Sequence, residues 1–169
     1  MDEKPLVNRV ASSGLITLKL EDYFPVEEIV AFDLKDYLFH GLILKEKDFR
    51  ESLKNLDWEQ FRGKRLAVFC STDAIIPIWA YQLVAVHAVP LVADIGYGTP
   101  AQVLDQYYRD TLSRMDWGFL ADQRVVIKGC SDKPVPPSAY LELTRLLLPL
   151  AKSILYGEPC STVPLYKKS

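Results

Sequence analysis

Three cysteines, each followed by serine, are the residues of this chain best suited to chemistry: Cys70-Ser71, Cys130-Ser131 and Cys160-Ser161. The first two follow apolar runs, Leu66–Phe69 and Val125–Ile127, and stand ahead of stretches with helical spacing. A thiol in that position faces the unpaired N–H groups of a helix start, which favour the thiolate. Three converging thiolates, with Asp73, Asp132, Glu158 or His40 as fourth ligand, would suit zinc, iron or an iron–sulfur cluster. The ligands lack the close C-x-x-C spacing that identifies a zinc site. Two other readings therefore stay open: a single reactive thiol, Cys130 or Cys160, acting as an enzyme nucleophile, or independent core and loop residues in a structural or protein-interaction module without chemistry. Serine after each cysteine also reads as an N-cap or turn former.

Other groups offer less. His87 ends an apolar segment and reads as a packed or capping residue. Asp94-Ile-Gly-Tyr-Gly98 has the start of a phosphate loop but lacks the third glycine and helix spacing of a dinucleotide fingerprint. Trp79, Tyr81, Tyr107 and Tyr108 read as core or interface aromatics.

The elements that must position these groups follow from periodicity. Leu15–Leu20 alternates apolar and polar side chains as a half-buried strand does, and Glu28–Asp33 is a second strand, with Phe39–Leu44 ambiguous. Phe49, Leu53 and Leu56 form a helical face that Trp58 and Phe61 extend toward Gly63. Leu66–Cys70 is a continuous apolar strand of the kind buried on both faces of a parallel sheet. A helix is predicted from Ala74 to His87, a strand over Val89–Asp94, a helix over Ala101–Arg114 and a strand over Arg124–Lys128. A last helix is predicted from Ser138 to Tyr156, kinked or split at Pro149. Strands alternating with helices predict an α/β protein whose mainly parallel sheet is flanked by helices, with the N-terminal strands available as antiparallel edges. No internal repeat stands out. Residues 1–13 read as an arm and 14–169 as a single domain.

Composition narrows the function classes. The chain has 169 residues, 49% of them hydrophobic and 25% charged, enough for one well-buried core. A formal net charge of −2 gives no surplus of cations, so nucleic acid is not expected as a partner. The longest apolar runs are broken by prolines and polar residues, so no membrane span is expected. The acidic opening Met1-Asp-Glu-Lys-Pro is unlike a signal peptide, which points to the cytoplasm. There, three cysteines argue against a disulfide framework. The apolar 74–87 helix suggests a homodimer.

Three segments carry a resemblance. Cys70-Ser-Thr-Asp-Ala-Ile-Ile-Pro-Ile-Trp-Ala-Tyr81, Lys128-Gly-Cys-Ser-Asp132 and Ala151-Lys-Ser-Ile-Leu-Tyr-Gly-Glu-Pro-Cys-Ser-Thr-Val-Pro164 resemble the bacterial family catalogued as domain of unknown function 2480, over about Val26 to Tyr166. The resemblance brings no established activity. It implies an accessory role near iron–sulfur assembly, with the assembly proteins as partners, and so favours a non-catalytic metal- or cluster-binding protein.

Overall fold

The computed structural model describes residues 14–158 and 160–168, so the expected arm over residues 1–13 lies outside it. Contacts divide the chain into two compact units, Pro25–Tyr107 and Met1–Phe24 with Tyr108–Ser169. Each unit has its own sheet.

In the Met1–Phe24 and Tyr108–Ser169 unit, β1 (Leu15–Leu18) pairs parallel with β5 (Arg124–Ile127), β5 pairs parallel with β6 (Ser153–Glu158), and β7 (Ser161–Lys167) closes the edge antiparallel to β6. The α4 helix (Pro137–Leu147) links β5 to β6. Val125, Val126 and Ile127 are buried in succession, as a central parallel strand requires. Tyr108, Leu112, Leu143, Leu147 and Ile154 complete this core.

In the Pro25–Tyr107 unit, β2 (Ile29–Asp33), β3 (Arg65–Phe69) and β4 (Asp94–Tyr97) form an all-parallel sheet in that order. The α1 helix (Glu46–Asn55) connects β2 to β3, and α2 (Ile78–Ala88) connects β3 to β4. Phe32 anchors this core, stacked between Tyr37 at 5.4 Å and Trp58 at 5.6 Å. Leu34, Leu53, Leu66 and Val84 bury themselves around it. Burying such side chains contributes roughly 1.5–3 kcal/mol each. The α3 helix (Pro100–Arg114) begins in this unit and passes to the other at Tyr108.

The mainly parallel α/β architecture is as the sequence predicts. The antiparallel pairing lies at the C-terminal edge, and both N-terminal strands pair parallel. Three elements differ from their predicted positions. The α2 helix starts at Ile78, four residues late, with Pro77 as its cap. Val89–Val92 do not form a strand: the Val89 N–H returns to the Ala85 carbonyl and those of Leu91 and Val92 to the Ala88 carbonyl, closing α2, so β4 begins at Asp94. The predicted last helix ends at Leu147, and the residues from Ser153 turn into a strand instead.

An internal repeat, invisible as a fixed period of cysteines, emerges from the element order. Each unit runs strand, 3-10 turn, helix, tryptophan, 3-10 turn, parallel strand, Cys-Ser loop, helix, parallel strand. Asp57-Trp58 matches Asp116-Trp117, and Arg65 matches Arg124. In each case the aspartate carboxylate accepts the N–H two residues on, and the indole N–H donates to the carbonyl five residues back, Leu53 at 2.8 Å and Leu112 at 2.9 Å. Gly63 and Asp122 both turn the chain at positive φ, 70° and 57°, immediately before these strands. No helix among the described residues is long and apolar enough to cross a membrane.

Candidate functional site

The repeat places Cys70 and Cys130 at matching positions, each just beyond the carboxyl end of a central strand. Their strands belong to different sheets, so Cys70 and Cys130 do not open from neighbouring strands of one sheet. In open α/β sheets that carboxyl edge is where ligands bind. All three cysteines are free thiols, Cys70 half-buried and Cys130 and Cys160 exposed.

At the carboxyl edge of the β1-β5-β6-β7 sheet, Glu21 organises the loop that carries Cys130. Glu21 sits on the 3-10 turn Leu20–Tyr23 that follows β1. One carboxylate oxygen accepts from the Lys128 ammonium at 3.1 Å, the other from the backbone N–H of Asp132 at 3.0 Å. The Asp132 N–H, then Lys128, hold the Glu21 carboxyl below its ordinary range. The hydrogen bond to Glu21 raises Lys128 above the usual lysine range, against burial and with help from the charges of Glu21, Glu158 and Asp132. The Ser131 hydroxyl donates to the Lys133 carbonyl at 2.9 Å and accepts from its N–H at 3.1 Å, fixing the next turn.

Aromatic rings flank this loop. Tyr140, in the first turn of α4, meets Tyr156 of β6 edge-on with centroids 6.0 Å apart. Burial raises the Tyr140 phenol above its ordinary value, with Tyr156, Glu21 and Cys130 adding to the shift. A side chain at Gly129 would place its Cβ 2.9 Å from the Tyr156 ring, so glycine lets that ring lie against the loop. Glu158 ends β6, and its Oε1 is buried with no hydrogen-bond partner among the described residues. Cys160 occupies the turn between β6 and β7 rather than folding back from a helix.

The equivalent edge of the other unit uses the same device. Asp33, at the end of β2, accepts from the N–H groups of Ser71 and Lys35, each at 3.0 Å. Burial pushes the Asp33 carboxyl up, but the Ser71 hydroxyl, these N–H groups and the Lys35 charge outweigh it and leave it below its ordinary value. Cys70 Sγ lies 3.2 Å from the Thr72 hydroxyl.

The candidate ligands thus fall into two groups. Cys130, Asp132, Glu158 and Cys160 share one sheet edge, whereas Cys70, Asp73 and His40 belong to the other unit. His40 is exposed in the turn bridged by Phe39 and Ile43, at a φ of 51° and against the Phe39 ring. Among the described residues, no three His, Cys, Asp or Glu side chains stand together as a metal-holding group. Asp94 opens β4 instead of closing a strand, and pairs with Arg65 at 2.6 Å. His87 stacks on Trp58, as a packed residue.

Glu21, Lys128, Tyr140 and Tyr156 went unmarked in the sequence because each is an ordinary residue whose role depends on strand pairing. Lys128 and Tyr156 carried a local signal, as members of the Lys128–Asp132 and Ala151–Pro164 segments.

Neither a curated protein nor a solved structure matches the chain. The family model described as "Protein of unknown function (DUF2480)" matches residues 4–168, essentially the whole chain, and the protein belongs to that family.

Proposed function

We propose that the protein is a non-catalytic accessory that handles a metal ion or iron–sulfur cluster as cargo at the carboxyl edge of the β1-β5-β6-β7 sheet. Cys130 and Cys160 supply thiolates there, and Asp132 and Glu158 supply carboxylates. The observation that carries this reading is the Glu158 oxygen, buried without a donor among the described residues, at the sheet edge whose Cys130 and Cys160 are exposed thiols. Leaving a buried acceptor unpaired costs about 1–3 kcal/mol, and more for a charged group, and an arriving cation or proton relieves that cost. These four groups do not form a closed ligand set as they stand. Cargo binding therefore draws the Cys130 loop and the Cys160 turn together, a behaviour that suits transfer better than storage. Iron–sulfur assembly proteins in a reducing cytoplasm are the partners this reading calls for. A homodimer through the exposed Ile78 and Val86 of α2 and Val89 at its C-cap belongs to the same proposal.

Anaerobic purification followed by zinc and iron analysis, before and after reconstitution, tests it. Cys130→Ser and Cys160→Ser should each abolish most of the uptake, while Cys70→Ser leaves it unchanged. A chain that takes up neither metal, or a Cys70→Ser variant that loses as much as Cys130→Ser, ends the proposal.

A further inference from the structure

We infer that Cys130 and Cys160 form a reactive dithiol, a modification site that a small disulfide such as oxidised glutathione converts into an intramolecular disulfide. Both are free and exposed, as exchange with a disulfide in solution requires. Their segments leave the sheet side by side. Ile127 and Tyr156 are the last pair of the β5-β6 ladder, on strands about 4.8 Å apart. Cys130 comes three residues after Ile127, and Cys160 four after Tyr156.

The segments stay together beyond the ladder. The Tyr156 ring lies against Gly129, where an added Cβ would meet it at 2.9 Å. Glu21 anchors the Asp132 N–H at 3.0 Å, which confines Cys130 to this edge from its other side. Glu158 pairs with Ser161 across β6 and β7, so Cys160 sits in the tight turn of that hairpin. A disulfide needs Cα atoms about 4.4–6.8 Å apart. Segments this short, extending at most roughly 3.3–3.6 Å per residue from neighbouring strands, have the length to satisfy it. Cys70 supplies an internal control: it is half-buried, its sulfur lies 3.2 Å from the Thr72 hydroxyl, and its unit contains no second cysteine.

The exchange balances without a metal. One cysteine thiolate attacks a sulfur of glutathione disulfide, whose S–S bond breaks, and one glutathione leaves as its thiolate. The second cysteine thiolate then attacks the protein sulfur of the mixed disulfide and expels the other glutathione. The two protein thiols give up two electrons and two protons, and both glutathiones leave as thiols. In a reducing compartment such a bond is transient and redox-sensing. Oxidation withdraws both thiolates from cargo and reduction restores them; this consequence rests on the cargo reading above, whereas the bond itself does not.

The full chain, reduced and stripped of metal with a chelator, is equilibrated in glutathione buffers of rising oxidised fraction, quenched in acid, alkylated and mapped by mass spectrometry. A species lighter by two hydrogens is expected, with Cys130 and Cys160 peptides linked and Cys70 alone left to alkylate. Cys70→Ser should form the same bond. Cys130→Ser and Cys160→Ser should lose it and stop at a glutathione adduct on the remaining thiol of the pair. Glutathione adducts that persist on both thiols of the wild type, a link between two chains, or a bond that includes Cys70 would overturn the assignment. Zinc uptake by the reduced chain is measured alongside: the bond without uptake upholds the dithiol and ends the cargo reading, and uptake without the bond does the reverse.

Discussion

Glu21 shows how a single side chain can set a site that its own segment does not contain. Its carboxylate reaches from the turn after β1 to a lysine and an N–H more than a hundred residues later in the chain. Asp33 does the same for Ser71, so the two Cys-Ser loops are each held by an acidic residue at the end of the neighbouring strand or in the turn that follows it. This explains the recurrence of Cys-Ser-Asp-like segments without requiring the thiols to meet. It also gives the loop a pH dependence. The folded Glu21 carboxyl titrates below its ordinary value of 4.5, so the stability it contributes is fully present above that value and is lost as pH falls through the lower folded value. Glu21→Gln keeps the shape and removes the charge. The variant should have a lower urea midpoint than the wild type at neutral pH, and the two midpoints should converge in acid. A difference that stays constant with pH would show that the charge is not what holds the loop.

Elements were legible in the sequence where the apolar period was clean and obscured where proline or glycine had two meanings. The buried strands β3 and β5 and the helix α3 lie where their patterns place them. After Leu143 and Leu147, the run through Ile154 and Leu155 is apolar enough to continue a helix or to form a buried strand, and periodicity does not separate the two. Pro149 decides it: it has no N–H to bond the Arg145 carbonyl, so the unbroken helical series ends with Leu148 bonding Thr144 at 3.0 Å. Gly96 misled in the other direction. It reads as loop punctuation, but it lies within β4 because a Cβ there would sit 2.9 Å from Val103 of α3. The carboxyl-edge site was half legible for the same reason: its cysteines and acids mark themselves by type, while Glu21 and Tyr156 join only through strand pairing.

Gly157 offers a sharp test at this scale, since it shapes the hairpin bearing Glu158 and Cys160. Its φ is 121°, and an added Cβ would lie 2.6 Å from the Ser161 carbonyl oxygen. Gly157→Ala should cost about 1–3 kcal/mol by urea denaturation. Gly63→Asn, also at positive φ but with open space around its Cβ position, should cost less than about 1 kcal/mol. Equal costs at the two sites would mean that the hairpin backbone shifts to accommodate a side chain.

At the scale of the whole molecule, one plan is used twice, and the copies are nested. The Pro25–Tyr107 unit lies in the chain between the first strand and turn of the other unit and the rest of it. Such nesting makes the host unit depend on contacts distant in sequence, because β1 must find β5 after the whole inserted unit has intervened. The division also falls within α3, whose residues Pro100–Tyr107 belong to one unit and Tyr108–Arg114 to the other. Helix formation is cooperative, so melting either half removes hydrogen bonds that support its continuation. The two units should therefore unfold in one transition. The tryptophans report on each separately: Trp58 and Trp79 lie in the inserted unit, and Trp117 in the host. In Trp58→Phe/Trp79→Phe, fluorescence follows the host alone, and in Trp117→Phe it follows the inserted unit. Replacing Trp58 or Trp117 leaves a helix-end carbonyl without its indole donor and should lower stability by about 1 kcal/mol at each site. Comparison is made within each variant, between the fluorescence midpoint and the far-UV circular dichroism midpoint in urea, so that this loss cancels. Coincident midpoints in both variants are expected. A fluorescence transition displaced from the circular dichroism transition in either one would show that the repeated plan folds as two independent bodies, with α3 divided between them at Tyr108.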